Sequence, residues 1–117
     1  MIVGIGIDLC SIDRLSDSLK SAPNLAKRLF HQNEIEMKIE SLAARFAAKE
    51  ALAKALGDPT KLQWIEIEIQ NSDSGKPSFL FHGQTKENLG IAGVQVSHLS
   101  LSHDGGVAAA VVVLEAL

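Results

Sequence analysis

The chain has no tyrosine, and aromatic residues make up only 4% of it, so any core must be assembled from isoleucine, leucine, valine and alanine. Cys10 stands alone, which excludes an internal disulfide and fits a reducing, cytoplasmic setting. No apolar run approaches the length that crosses a bilayer, so no membrane association is expected. The opening Met1-Ile2-Val3-Gly4 lacks the basic stretch of a secretory signal. There is no excess of basic charge either. The net charge of -3 argues against a general nucleic-acid binder. Internal repeats, low-complexity tracts and linkers are also missing.

What is present fits one domain over residues 1–117 with one core. Apolar residues reach 46%, too many for a disordered chain. The charges are unevenly spread. Residues 1–56 carry eight Lys/Arg against seven Asp/Glu, and residues 57–117 carry three against seven. All three arginines, Arg14, Arg28 and Arg45, lie in the first part. The guanidinium fork matches phosphate and carboxylate, so an anionic ligand is expected to meet the N-terminal half.

Residues 2–9 alternate with period two, Val3, Ile5 and Ile7 on one face and Gly4, Gly6 and Asp8 on the other, which predicts a strand. Ser11 opens a helix to about Ser21, stopped by Pro23. A short helix is expected over 24–30 and a third from about Gln32. The longest covers 41–56, rich in alanine and leucine, and ends at Gly57. Ile65, Ile67 and Ile69 alternate with Trp64, Glu66 and Glu68, the pattern of a half-exposed strand. A turn over 71–75 leads to a strand at Phe79–Phe81 and a helix over 82–89 ended by Gly90. Residues 94–102 and 107–114 read as a hairpin around Asp104-Gly105-Gly106, with the last strand central because both its faces are apolar. The expected fold is α+β: an N-terminal strand and helices, then a mostly antiparallel sheet wrapped on a long central helix.

Four motifs carry chemistry. Gly4-Ile5-Gly6-Ile7-Asp8 leaves a hollow beside a carboxylate, open to a ligand or simply to close packing. It lacks the third glycine and the glycine loop of a dinucleotide fingerprint. In the long helix, Glu50 and Lys54 share a face one turn apart. They are either a surface ion pair or a metal carboxylate with a lysine beside it. Arg45 and Lys49 are likewise one turn apart on another side, facing a different part of a ligand or a neighbouring subunit. Ser74-Gly75-Lys76-Pro77 is a tight turn whose backbone and lysine suit a nucleotide. His103 ends an apolar strand next to a turn, while His98 lies one face over and is given no role. Ser102, His103 and Asp104 do not form a triad, because consecutive strand residues alternate faces.

Together these motifs resemble the holo-acyl-carrier-protein synthase family of phosphopantetheinyl transferases. Gly4 to Asp8 is similar to its opening strand, and Arg45 to Lys54 with Ala55-Leu56-Gly57 to its central helix. Gly75-Lys76-Pro77 and Ser100-Leu101-Ser102-His103 follow in the family's order. The resemblance implies transfer of the 4'-phosphopantetheine arm of coenzyme A to a serine of apo-acyl carrier protein, for fatty acid biosynthesis. It implies Asp8 and Glu50 as Mg²⁺ ligands and catalytic groups, with Lys54 beside the reacting phosphate. Arg45, Lys49 and His103 are expected at the coenzyme A phosphates, and Gly75, Lys76 and Pro77 at the adenine. Arg14, Lys20, Lys27 and Arg28 are expected to dock the acidic carrier, with Asp17 interrupting that patch. A homotrimer with shared active sites is implied too. Glu50, a neutral Lys54 and a water at the metal all stay open as the base. Two other readings differ in class. A cyclodiphosphate synthase needs a histidine where Cys10 stands. A non-catalytic coenzyme A or carrier-binding module has no need of Asp8 and Glu50 together.

Overall fold

The computed structural model describes Met1–Leu117. Strand β1 (Ile2–Ser11) leads into α1 (Ile12–Ser21), whose N-cap Ser11 accepts the Arg14 N–H at 3.3 Å. The short α2 (Leu25–Leu29) follows, and then the long α3 (Ile39–Leu56), stopped at Gly57. Beyond two 3-10 turns, β2 (Ile67–Asn71) and β3 (Pro77–Phe81) form an antiparallel hairpin. Helix α4 (Gly83–Ile91), β4 (Val96–Asp104) and β5 (Val107–Glu115) complete the chain. The main sheet has the order β1-β5-β4 and is antiparallel throughout, so β5 is central as its two apolar faces require.

Helix α3 is buried almost all round, as its alanine-rich sequence demands. One side lies on the sheet through Ala108, Ala110, Val112 and Leu114 of β5, all within the core. The contact with β1 is closer still. A Cβ on Gly6 would fall 1.9 Å from the Ala51 carbonyl oxygen, and one on Gly4 would fall 1.8 Å from that of Ala55. Only glycine fits there, so the hollow expected at this motif is filled by the helix backbone and receives no ligand. The opposite face of β1 is left uncovered: Ile5 and Ile7 are each 62% exposed and Leu9 66%.

Three expected elements differ. No helix starts at Gln32; residues 32–36 are turns, because the Glu34 carboxylate turns inward and accepts the backbone N–H groups of His31 and Ile69. The strand expected from Trp64 begins only at Ile67, and Glu68 on its presumed wet face is buried. Gly90 lies inside α4, and the chain leaves that helix at Gly93.

Candidate active site

The approach of β1 to α3 sets up an acid cluster. Asp8 follows Gly6 on the same strand face, and Glu50 precedes Ala51 on the helix. One turn further on, Lys54 Nζ lies 2.9 Å from Asp8 Oδ1 and 3.0 Å from the Ile7 carbonyl. Glu50 and Lys54 line an open cavity of about 430 Å³ with Ala53, Gly57, Pro59 and Trp64. Burial and then the Asp8 charge push the Glu50 carboxyl up, while Lys54 and Trp64 pull it back. The same two acids, after burial, push the Cys10 thiol up, so no thiolate competes there. The Lys54 side chain is 57% exposed, so its ion pair with Asp8 contributes at most about 1 kcal/mol and yields easily to a ligand. Glu50 feels the Asp8 charge, and with the thiol neutral the two carboxylates form an oxygen-only donor set. That set fits Mg²⁺.

A second cluster forms elsewhere on α3. Arg45 lines a cavity of about 350 Å³ with Asn71, Gly75, Ser102 and His103. His103 reaches it because it pairs with Ala108 on the sheet face that carries α3. Arg45 Nη2 donates to Asn71 Oδ1 at 2.7 Å and to the Ile69 carbonyl at 3.5 Å, and Nη1 donates to the Ser41 carbonyl at 3.5 Å. Of the expected nucleotide turn, Gly75 alone lines this cavity. Lys76 is exposed beside it, and Pro77 opens β3 opposite Asn71. The acid cavity and the Arg45 cavity share no lining residue. Within one chain the expected site residues therefore form two separate halves.

Lys49 joins neither half, which corrects its expected place at the ligand. Its side chain has no exposed surface, and Nζ is held by Glu34 Oε1 at 2.6 Å, the Leu29 carbonyl at 2.8 Å and the Trp64 carbonyl at 3.0 Å. All three donors are used, so none is left for a phosphate. Burial lowers the Lys49 pKa and Glu34 raises it, an opposition that only a buried partner of opposite charge can supply.

The family model of the 4'-phosphopantetheinyl transferase superfamily matches residues 4–112. The chain belongs to that superfamily. It is similar to a holo-[acyl-carrier-protein] synthase of Streptomyces avermitilis, 50% identical over 97% of this chain and 98% of the relative. A holo-[acyl-carrier-protein] synthase of Clavibacter michiganensis is 45% identical over 98% and 97%. Among solved structures, the holo-[acyl-carrier-protein] synthase of Neisseria meningitidis superposes with a TM-score of 0.91 at 32% identity, covering 98% of this chain and 99% of that one. The Helicobacter pylori enzyme in complex with coenzyme A gives 0.84 at 34% identity, covering 95% and 99%. The cyclodiphosphate-synthase reading is thereby set aside.

Two further groups of charged and titratable residues stand apart from these halves in this phosphopantetheinyl transferase. Arg14 and Lys20 on α1 and Lys27 and Arg28 on α2 are all exposed. They do not share one groove: Arg14 opens onto a cavity between α1 and α2, and Lys27 onto another beside Phe30 and His31. Sequence reasoning missed the second group, His31, Glu68 and His82, whose ligand atoms lie within 4.8 Å of one another. The two rings stack with centroids 4.8 Å apart and planes 15° from parallel. Near-parallel rings aim their lone pairs side by side rather than at one point. His82 Nε2 lies 2.9 Å from Glu68 Oε1, Asn33 donates to Glu68 Oε2, and His31 Nδ1 accepts the Asn33 N–H. This is a hydrogen-bonded stack around a buried carboxylate, and its nitrogen donors do not suit Mg²⁺. Nothing in the sequence pointed to it, since Glu68 reads there as the wet face of a half-exposed strand.

Proposed function

We infer that the chain transfers the 4'-phosphopantetheine arm of coenzyme A to a serine of apo-acyl carrier protein, releasing adenosine 3',5'-bisphosphate, in support of fatty acid biosynthesis. The observation that carries this reading is the contact of Asp8 with Lys54, one turn from Glu50 on α3 and beside the cavity that Glu50 and Lys54 line, in a chain of this superfamily. The serine oxygen bonds to the pantetheine-side phosphorus, the bond from that phosphorus to the bridging pyrophosphate oxygen breaks, and the serine proton is lost. Such a reaction is governed by positioning and by charge stabilisation. Asp8 and Glu50 would hold Mg²⁺, which when bound supplies charge stabilisation to the pyrophosphate. Lys54, released from Asp8 as ligand enters, has the reach and charge to follow a phosphate oxygen. Glu50, a neutral Lys54 or a water held beside them would accept the serine proton. Arg45 and His103 would contact the coenzyme A phosphates, and the Gly75 turn with Lys76 and Pro77 the adenine. Arg14, Lys20, Lys27 and Arg28 would dock the acidic carrier.

The chain acts as a homotrimer in this reading, with the acid half of one subunit facing the Arg45 half of the next. Support comes from the two unshared cavities and from the uncovered Ile5, Ile7 and Leu9 face. The cytoplasm is its proposed setting.

The test is mass spectrometry of an apo carrier incubated with coenzyme A and Mg²⁺. The parent chain adds the phosphopantetheine mass. Asp8→Ala and Glu50→Ala each lose several kcal/mol of charge stabilisation, about a thousandfold in rate, with circular dichroism unchanged. Parental activity in either variant removes the acid pair from the mechanism.

A further inference from the structure

We propose that Asn71 is a positioning residue, which ties the Arg45 guanidinium to the Gly75 turn so that both walls of the coenzyme A cavity are set by one side chain. The proposal rests on the reading of Arg45 as a phosphate contact. Asn71 ends β2, and its amide is used at both ends: Oδ1 accepts from Arg45 Nη2 at 2.7 Å, and Nδ2 donates to the Gly75 carbonyl at 3.0 Å. The first of these is short because the donor is charged. The second closes the turn that carries Ser72 to Lys76, in which Gly75 N donates to the Ser72 carbonyl at 2.8 Å.

The other contacts of Arg45 show why Asn71 matters. Both Nη2 hydrogens have acceptors, Asn71 and Ile69, and one Nη1 hydrogen points weakly at Ser41. Nε is buried with no hydrogen-bond partner and faces Glu34 Oε2 at 3.8 Å. Glu34 thus attracts the guanidinium from beneath without fixing its rotation, since the distance exceeds that of a hydrogen bond. Asn71 supplies the one strong directional contact, which leaves an Nη1 hydrogen for the cavity. An arginine pinned before its ligand arrives loses less rotamer freedom on binding. Asn71 is itself exposed, so its loss changes the cavity wall without opening the core.

The experiment is a double-mutant cycle on Asn71→Ala and Arg45→Ala, reading KM for coenzyme A, kcat and KM for the apo carrier, with thermal melts as a control. Asn71→Ala is expected to raise KM for coenzyme A about tenfold, the worth of one charge-assisted hydrogen bond, with kcat within about twofold and carrier KM unchanged. In the double variant the Asn71 change adds less than it does alone, because the share of its effect that passes through Arg45 is already lost and only the share through the Gly75 turn remains. Additive losses, or a KM unmoved by Asn71→Ala while Arg45→Ala raises it, overturn the positioning role. An unmoved KM in Arg45→Ala itself shows instead that the phosphate-contact reading is wrong, and the proposal falls with it.

Discussion

Glu34 shows how one side chain can decide a local conformation. Its carboxylate has no exposure and accepts from two backbone N–H groups, from Lys49, and faces Arg45. Replacing it with alanine leaves Lys49 fully buried without its ion-pair partner. That change is expected to cost about 3–5 kcal/mol, or to prevent folding. Urea unfolding of Glu34→Ala against Lys49→Met/Glu34→Leu checks the sign, since the double variant removes the unpaired ammonium and recovers part of the loss, while the His31 and Ile69 N–H groups and Arg45 stay without their acceptor. At this scale the sequence was partly legible. Asp8, Glu50 and Lys54 stood out because acids and a lysine interrupted apolar patterns, and the structure brings them together. Lys49 stood out for the same reason and is buried, because periodicity reports which face a charge occupies and not whether a distant carboxylate covers that face. Glu34 gave no signal at all among its polar neighbours.

Among the elements, those with strong periodicity or a defined cap were readable: β1, α1, α3 and the β4–β5 hairpin start and stop within a residue or two of their expected limits. Errors arose where tertiary partners override local pattern. The third helix gives way to the turn around Glu34, and the isoleucine strand loses its first residues to a 3-10 turn at Trp64–Glu66. Helix α4 illustrates the ambiguity of glycine as a stop signal. Gly90 has ordinary helical backbone with open space around its Cα, whereas Gly93 has φ +86°. Gly90→Ala is therefore expected to stabilise the protein by about 0.5–1 kcal/mol, while Gly93→Ala destabilises it by a similar or larger amount. Paired thermal or urea melts of the two variants distinguish them, and equal effects would place the helix end at Gly90 after all.

For the whole molecule, the question is how two half-sites on opposite parts of α3 act together. If the Arg45 half of one subunit completes the acid half of another, mixing two inactive variants restores activity. Asp8→Ala and Arg45→Ala chains, unfolded together and refolded, are expected to recover a substantial share of parental transfer, whereas each refolded alone does not. No recovery, with mixed oligomers confirmed by native mass spectrometry, means each chain works alone. The sheet faces outward in a manner that agrees with such an assembly, since Ile5, Ile7 and Leu9 form a row that one chain leaves wet. The opposite face of that strand has a bearing on motion. With Gly4 and Gly6 against the Ala55 and Ala51 carbonyls, no rotamer stands between strand and helix to absorb a fluctuation. The two backbones are therefore in direct contact, and the separation of the Asp8 and Glu50 main chains is set by that contact rather than by intervening side chains. Adjustment at the acid pair is therefore expected from rotation of the Asp8, Glu50 and Lys54 side chains, not from sliding of strand on helix.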